Sequence, residues 1–426
     1  MSDGLDIEGL GRRAEAMLEE LAAISEEPDR LTRRFLTPEH KRAAHLVAQW
    51  MAEAAMTTSE DALGTVIGHY AAEGEAAGAN AVPRLLIGSH IDTVINAGRY
   101  DGMLGVVAGI LAIEHFRDRK RRFPFALDVL AFGDEEGSRF PTVLSSSAAL
   151  AGAFEPRWLD GTDRDGITLR QAMHDYGLDP QAVGKAALTP EEALAYVEIH
   201  IEQGPVLERM DLPVGVVTSI AGQYRTRVTV GGVAGHAGTV PMPMRQDALL
   251  AAAEMALAAE AIARSRPEAA MVATVGHMTI NPGAINVIAD RVTFVLDLRA
   301  ASDPPRAEAL AQFRERAETI AAARNCTVTF ETYHDCPTAA CAPWLQEALA
   351  EAAGSLGIKA PRLVSGAGHD GQAMARLTDF GMLFVRCRGG ISHNPAEYAT
   401  VADMGTAVAA LIRFIERFDP TARPVG

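Results

Sequence analysis

Histidine and carboxylate side chains recur in this sequence directly after short apolar runs, and such side chains bind cations or move protons. The densest example is segment 88–102, which follows the apolar run 85–87 and contains His90, Asp92 and Asp101. Considered alone, a loop histidine is commonly a hydrogen-bonded surface residue, and an aspartate can simply cap a turn. This segment therefore leaves two interpretations open, a metal site or an ordinary polar turn.

Three further polar clusters lie at or after the ends of apolar runs. Glu135 and Glu136 come after run 126–132, His200 lies in run 195–201, and His393 follows run 381–385. Adjacent carboxylates are costly to desolvate unless a positive group is near. Imidazoles and carboxylates without a thiolate suit zinc, manganese, cobalt or nickel rather than an iron–sulfur cluster. The whole set exceeds the needs of one four-coordinate ion and favours two ions that share a bridging carboxylate.

The elements that must position these side chains alternate between strands and helices. The pattern predicts strands at 63–70, 84–88, 126–132, 195–201 and 381–385, and helices at 6–25, 38–55, 104–116 and 343–356. Thr37 and Pro38 favour the start of the second helix, and Thr400 with Asp403 forms a capping box for the last one. This alternation predicts an α/β fold, a mostly parallel sheet covered by helices. Open sheets of this kind bind ligands at the carboxyl ends of their strands.

The pattern changes near residue 213. Strands are predicted at 214–220, 226–230, 271–280, 291–298 and 327–331, with helices at 244–264 and 304–324 between them. This order predicts a smaller α+β sandwich inserted into the larger domain, where it serves as a lid or dimerisation domain. We therefore expect a catalytic, metal-binding domain formed by residues 1–212 and 331–426, and an inserted domain formed by residues 213–330.

Composition excludes several classes of protein. The 426 residues carry a net charge of −16, so no basic surface is expected for nucleic acid. The sequence has neither a signal-peptide pattern nor a run of 18 apolar residues, which argues against a membrane partner. Its four cysteines have neither zinc-finger nor disulfide-scaffold spacing. A cytoplasmic protein with reduced thiols is the simplest expectation.

Several longer motifs occur in one order along the chain: GSHIDT at 88–93, YDG at 100–102, DEEGSRF at 134–140, HIEQGPVLE at 200–208, GHAGTVPM at 235–242, DLR at 297–299 and GISHNPAE at 390–397. This set resembles the dinuclear-metal superfamily of aminoacylases and carboxypeptidases. Within it, the chain is similar to the hydantoinase/carbamoylase branch, which contains allantoate amidohydrolase, N-carbamoyl-L-amino-acid hydrolase and β-ureidopropionase. The motifs span nearly the whole chain.

The resemblance implies a role for each residue of the polar clusters. One metal ion would be held by His90, Asp101 and His200, and a second by Glu136 and His393, with Asp101 as the bridge between them. Glu135 would be the general base, and Asp92 would orient the imidazole of His90. His200 stands where aminoacylases and carboxypeptidases have a carboxylate, which marks the ureido-cleaving branch. The resemblance also implies a cis peptide bond after Asp101.

The resemblance implies substrate contacts as well. His236 would stabilise the oxyanion of the tetrahedral intermediate, either in its own subunit or from the partner of a homodimer formed through the inserted domain. Further substrate-binding positions are Arg225, Asn286, Arg299, Gln203 and His369. The residues alone also allow a simple turn histidine at His236 and a structural salt bridge at Arg299. Binding of substrate would draw the two domains together.

The implied reaction is hydrolysis of the terminal carbamoyl or ureido C–N bond of a small carboxylate, with two divalent ions per subunit. Zn²⁺ or Mn²⁺ is expected, and Co²⁺ or Ni²⁺ would suit the same ligands. Segment 135–141, EEGSRFP, is closer to allantoate amidohydrolases, which belong to purine catabolism. An N-carbamoyl-L-amino-acid hydrolase is the alternative, and an aminoacylase or dipeptidase is disfavoured by His200.

Overall fold

A computed structural model describes residues 4–75 and 82–423. The α-helices are α1 (Ile7–Ala22), α2 (Pro38–Glu53), α3 (Met103–Asp118), α4 (Ser145–Leu150), α5 (Leu169–Tyr176), α6 (Val206–Met210), α7 (Ala248–Arg264), α8 (Asp303–Ala323), α9 (Pro343–Gly354), α10 (Gly371–Met374) and α11 (Val401–Arg417). The strands are β1 (Thr57–Glu60), β2 (Val66–Tyr70), β3 (Arg84–His90), β4 (Ala126–Phe132), β5 (Ala193–Ile201), β6 (Val214–Ile220), β7 (Gly222–Gly231), β8 (Gly235–His236), β9 (Val272–Asn281), β10 (Val287–Ile288), β11 (Arg291–Ala300), β12 (Thr327–Cys336), β13 (Ala339–Ala340), β14 (Arg362–Ser365) and β15 (Phe380–Val385).

The chain divides into two compact units. The second unit comprises Ser219–Ala340 and Val364–Gly366, and the remaining residues form the first. The predicted boundaries at 213 and 330 were therefore wrong by several residues. Strand β6 pairs with β15 from Val214 onward, so its first residues belong to the sheet of the first unit. Strand β12 continues along β7 as far as Cys336, so the inserted unit ends later than its hydrophobic pattern indicated.

The first unit is built on a mixed sheet with a parallel centre. Strands β4, β3, β5 and β15 are neighbours in that order and run parallel, whereas β2 and β6 flank them in antiparallel orientation. Every residue of β4 and β15 is buried, because helices cover both faces of the sheet. This arrangement confirms the predicted α/β class and the parallel, helix-covered sheet.

Two helices of the first unit begin at the caps that the sequence predicted. Helix α2 begins with the Thr37 hydroxyl accepting the N–H of His40, and the Thr400 hydroxyl accepts the N–H of Asp403 at the start of α11. Helix α3 is apolar around most of its circumference and is correspondingly buried between the sheet and its neighbouring helices. Within the described residues, no helix combines the length and the apolar character needed to cross a bilayer.

The second unit is a four-stranded antiparallel sheet with two helices packed on one face. The strand order is β12-β7-β11-β9, which leaves β9 at an edge. Alternate residues of β11, among them Val292, Phe294 and Leu296, are buried in the core beneath α7 and α8. A small ribbon, β8 with β10, lies outside this sheet. The predicted inserted α+β sandwich therefore exists as a unit with its own core.

Candidate active site and metal centre

The parallel strands of the first unit bring the predicted polar clusters to one edge of the sheet. His90 is the last residue of β3, and His200 is next to the last residue of β5. Glu135 and Glu136 follow β4, and His393 follows β15. Because neighbouring parallel strands end at the same edge, these side chains converge although the chain separates them widely.

Two groups of potential ligands meet there and share Asp101. His90, Asp101 and His200 form one group, and Asp101, Glu136 and His393 form the other; within each group the ligand atoms lie within 4.8 Å of one another. Asp101 Oδ1 is 3.1 Å from Nε2 of His200, and Oδ2 is 3.3 Å from Nε2 of His393. The carboxylate of Asp101 thus presents one oxygen to each group, as a bridging ligand must.

The orientation of the two buried imidazoles suits a cation. Nδ1 of His90 lies 3.1 Å from the carbonyl oxygen of Asp92, and Nδ1 of His200 lies 3.0 Å from that of Ile201. A carbonyl only accepts hydrogen bonds, so Nδ1 of each ring carries a proton and Nε2 is the atom that can bind a metal ion. Both Nε2 atoms are buried without a hydrogen bond of normal geometry. Two Nε2 atoms beside a buried carboxylate, with no thiolate among them, fit a divalent metal ion.

Asp92 contacts the segment with the two glutamates as well as His90, whereas its spacing in the sequence indicated only the contact with His90. Its Oδ1 lies 3.4 Å from Nδ1 of His90. Its two oxygens also accept the backbone N–H groups of Glu135 and Glu136, each at 3.2 Å. One buried carboxylate therefore orients an imidazole and fixes the segment that carries both glutamates.

The two adjacent glutamates face different partners. The carboxylate of Glu135 is 11% exposed and lies 3.9 Å from Nε2 of His90, whereas that of Glu136 lies 3.4 Å from Nε2 of His393. Burial raises the pKa of Glu135 well above its usual range, although the His90 imidazole opposes this. Burial and the charge of Asp101 raise the pKa of Glu136 to about 7. Glu135 thus lies beside the ligand groups without belonging to either.

At the shared carboxylate of Asp101, burial and the neighbouring imidazoles have opposite effects on the pKa. Burial alone would raise the pKa of Asp101, but the imidazoles of His200, His393 and His90 hold it well below the usual range. In return, the hydrogen bond to Asp101 raises the pKa of His393 to about 9. The centre therefore combines an anionic bridge with groups that hold protons, and a bound cation would replace such protons.

The turn after Asp101 depends on Gly102 and not on a cis peptide bond. The expected cis bond after Asp101 was wrong: the Asp101–Gly102 peptide is trans, and the cis bond in the described residues is Asn281–Pro282. The chain reverses because Gly102 adopts a φ of +71°, in the left-handed region. A Cβ atom at this position would lie 2.3 Å from Nε2 of His90, so a side chain would intrude on the ligand group.

Gln203 and His369 lie beside the ligands. The side-chain amide of Gln203 donates to Oδ2 of Asp101 at 2.8 Å and to the hydroxyl of Ser392 at 3.2 Å. The ring of His369 packs edge-on against that of His200, with 4.3 Å between the ring centroids. Burial lowers the pKa of His369 well below its usual range, so this ring is neutral. Both contacts place these residues against proposed metal ligands; a contact with substrate stays a prediction.

In the second unit, Arg225 and Arg299 share one carboxylate. The Nε atom of each donates to Asp297 at 2.9 Å, and Arg299 also donates to the carbonyl of Gly366 at 2.6 Å. These groups line a cavity of about 570 Å³ with His277 among its other walls. The structural salt bridge considered for Arg299 is therefore present, and a substrate role for either arginine remains a prediction.

His236 and Asn286 belong to the β8–β10 ribbon of the second unit. The side chain of His236 is exposed, and its Nδ1 accepts the N–H of Gly238 at 3.0 Å. The backbone carbonyl of Asn286 accepts the N–H of Ala237 at 2.9 Å. His236 is thus a turn histidine in an accessible position, and its role as an oxyanion donor is untested by this geometry.

Sequence reasoning missed three buried carboxylates. Glu198 forms a third His–carboxylate group with His200 and His369, and Asp370 lies beside it. Glu397 contacts the segment that carries Asp101. Glu397 stands inside the motif at 390–397, which was a usable signal. No spacing pattern indicates that its partners are the amides of residues 100 and 101.

At the carboxyl edge of this parallel sheet, two His–carboxylate groups share one aspartate and a further glutamate lies alongside. These are the features of a metal-dependent hydrolase. The comparisons with known proteins agree. The model of peptidase family M20/M25/M40 matches residues 86–417, and the chain belongs to this family.

Similar proteins are amidohydrolases. The chain is 40% identical to an allantoate deiminase from Arabidopsis thaliana, covering 95% of this chain and 81% of that protein. It is 41% identical to an N-carbamoyl-L-amino acid amidohydrolase from Geobacillus stearothermophilus, covering 94% and 97%. Among solved structures, an amidase of the hydantoinase/carbamoylase family from Burkholderia multivorans matches with a TM-score of 0.88 and 33% identity over 97% of this chain and 98% of that one. The resemblance to the hydantoinase/carbamoylase branch is thereby confirmed.

Proposed function

We propose that this protein is a metal-dependent amidohydrolase that cleaves the terminal ureido C–N bond of a small carboxylate, with allantoate as the first candidate substrate. The observation that carries the proposal is the pair of ligand groups joined by Asp101, with Glu135 beside them. The products would be ammonia, carbon dioxide and the corresponding amine. N-carbamoyl-L-amino acids are the alternative substrates.

Two divalent cations, Zn²⁺ or Mn²⁺, would bind here: one at His90, Asp101 and His200, and the other at Asp101, Glu136 and His393. When bound, they would lower the pKa of a water molecule and polarise the scissile carbonyl. Their positive charge would also lower the raised pKa of Glu135, which allows its carboxylate to act as a base near neutral pH.

Proton transfer is the part that this chain's own residues perform. Glu135 accepts a proton from the water that attacks the carbamoyl carbon and returns it to the leaving nitrogen. Asp92 keeps Glu135 in place through its backbone N–H. The roles of His236, Arg225, Asn286 and Arg299 with the oxyanion and the carboxylate of the substrate are part of this proposal.

The choice of substrate is supported by sequence rather than by geometry. Allantoate deiminases and N-carbamoyl-L-amino acid amidohydrolases are similar to this chain at nearly equal identity. Segment 135–141, EEGSRFP, favours allantoate, and His200 disfavours an aminoacylase or dipeptidase. A place in purine catabolism would follow from an allantoate substrate. The free cysteines support a cytoplasmic location as a separate part of the proposal.

The test is hydrolysis by metal-reconstituted protein of allantoate, N-carbamoyl-L-amino acids, N-carbamoyl-β-alanine and N-acetyl-amino acids. Ammonia is measured for the ureido compounds, and the free amine for the acetyl compounds. We expect allantoate to give the highest kcat/KM and a chelator to abolish turnover until Zn²⁺ or Mn²⁺ is restored. Hydrolysis of the acetyl compounds alone would refute the ureido assignment, and full activity of chelator-stripped protein would refute the metal mechanism.

We also propose that two copies associate through the second unit. Its sheet ends at β9, which pairs with β11 on one side and with no other strand among the described residues. Val272 and Ile280 on this strand are 51% and 40% exposed, and Leu257 on the adjacent helix α7 is 64% exposed. An edge strand with exposed apolar side chains beside it suits pairing with a second copy.

A further inference from the structure

The loop before α11 contains a buried carboxylate that the proposed reaction does not use. Glu397 is 4% exposed. Its Oε1 accepts the backbone N–H groups of Tyr100 at 2.8 Å and of Asp101 at 3.1 Å. Two amide donors on one carboxylate oxygen are charge-assisted bonds, which hold the donating peptide groups firmly. The backbone that carries the bridging aspartate is therefore tied to a residue 296 positions further along the chain.

A second connection runs through side chains. The hydroxyl of Ser392 lies 2.6 Å from Oδ2 of Asp101 and 3.1 Å from Oε2 of Glu397. Ser392 thus connects the two carboxylates, and it contacts the aspartate oxygen that faces His393. The orientation of the Asp101 side chain, and not only its backbone, depends on this loop.

The opposite loop has space for this carboxylate only because residue 98 is glycine. A Cβ atom on Gly98 would lie 2.3 Å from both Cδ and Oε1 of Glu397. Real Cβ atoms do not come this close, so any other residue would displace the carboxylate. The close approach of Glu397 to the Asp101 segment is therefore built into both loops.

The neighbouring ligand needs such support. The side chain of His393 is 51% exposed, whereas those of His90 and His200 are 1% exposed. Its backbone φ is +54°, an unfavourable value for a residue with a Cβ atom. Packing fixes this imidazole less than it fixes the other two, so its position depends more on the loop that carries it.

We infer that Glu397 is a positioning residue that sets the separation between Asp101 and His393, and thereby the affinity of the ion held by Asp101, Glu136 and His393. The inference rests on the proposed function, because it assumes that cations bind there. The ion held by His90, Asp101 and His200 should depend on Glu397 less, since its two imidazoles come from buried strand ends.

The experiment compares holoenzyme variants dialysed against buffers of graded free Zn²⁺, with bound metal counted by mass spectrometry. We expect two ions per chain in the unchanged protein. Glu397→Ala should retain one ion normally and bind the other about 10- to 100-fold more weakly, the usual effect of removing a group that orients ligands. Activity of this variant should return as the Zn²⁺ concentration is raised. Glu397→Gln keeps an oxygen acceptor for the two amides and should recover most of the affinity.

Glu208→Ala is the matched control. Glu208 accepts the backbone N–H of Gly389 at 2.9 Å, which also belongs to the loop before α11. Glu208 is exposed, and it touches none of the proposed ligands. Its metal content should not change. If Glu397→Ala fails to fold, Ser392→Ala, which removes the hydroxyl that connects Asp101 to Glu397, should weaken the same ion.

The outcomes separate this inference from the proposed function. An unchanged protein that binds no metal would refute the proposed function itself. If it binds two ions and folded Glu397→Ala binds both with unaltered affinity, the inference fails while the proposed function stands. The inference also fails if Glu397→Gln binds no better than Glu397→Ala, or if Ser392→Ala, used in place of an unfolded variant, has no effect.

Discussion

At the scale of single residues, Glu135 and Glu136 are adjacent but have separate tasks, because the buried carboxylate of Asp92 fixes the backbone amides of both. Asp92 accepts the N–H groups of Glu135 and Glu136. Neighbouring residues so fixed direct their carboxylates to different partners, His90 for the first and His393 for the second. A base and a metal ligand can therefore occupy consecutive positions without exchanging roles.

Glu135→Gln should separate these tasks. Glutamine preserves the shape of the side chain but cannot accept the proton, so kcat for ammonia release should fall by roughly 10²- to 10⁴-fold. Bound metal should remain at the level of the unchanged protein. Glu136→Gln, one residue away, is the comparison and should lose metal instead. Turnover retained in Glu135→Gln, measured at saturating substrate and metal, would contradict the assignment of this residue as the base.

At the scale of secondary-structure elements, the sequence predicted best where apolar runs end in polar loops. The predicted limits of 126–132 and 214–220 match β4 and β6. Because the strands that carry the ligands are parallel neighbours, the convergence of their loops followed from the fold class. The amide bonds to Glu397 did not follow, since they join loops 296 residues apart and no local pattern encodes such a contact.

Helix α2 gives a prediction about pH. His40 is fully buried, and its Nδ1 lies 3.1 Å from the hydroxyl of Tyr176. Burial lowers its pKa from 6.5 to about 4. The folded protein therefore favours the neutral ring. The contribution of this ring to the free energy of unfolding is fully present above pH 6.5, and about 3 kcal/mol is lost as the pH falls toward 4.

Urea unfolding between pH 7 and pH 4.5 measures this effect. The free energy of unfolding of His40→Gln should fall less over this range than that of the unchanged protein. His45→Gln, an exposed histidine on the same helix, should keep the full pH dependence. Equal slopes for His40→Gln and the unchanged protein would show that His40 does not titrate between the folded and unfolded states in this way.

At the scale of the whole molecule, each of the two units has its own hydrophobic core. The inserted unit begins within a strand, β6, that pairs with the sheet of the first unit at its start. A change in hydrophobic pattern marks where one type of secondary structure ends and another begins. It does not mark the residue at which the chain stops contacting one unit and starts contacting the other. This is why the expected boundaries lay several residues before the observed ones, although the inserted unit itself was predicted.

The proposed association of two copies makes a prediction for the intact protein. Light scattering should give about twice the 45.3 kDa mass of one chain. Leu257→Asp places a charge on the exposed apolar surface next to β9, and burying an unpaired charge in an interface is costly, so this variant should shift toward the monomer. Met210→Asp changes a comparably exposed apolar residue of the first unit and should leave the mass unchanged. A dimer that is insensitive to Leu257→Asp but is broken by Met210→Asp would place the interface on the first unit instead.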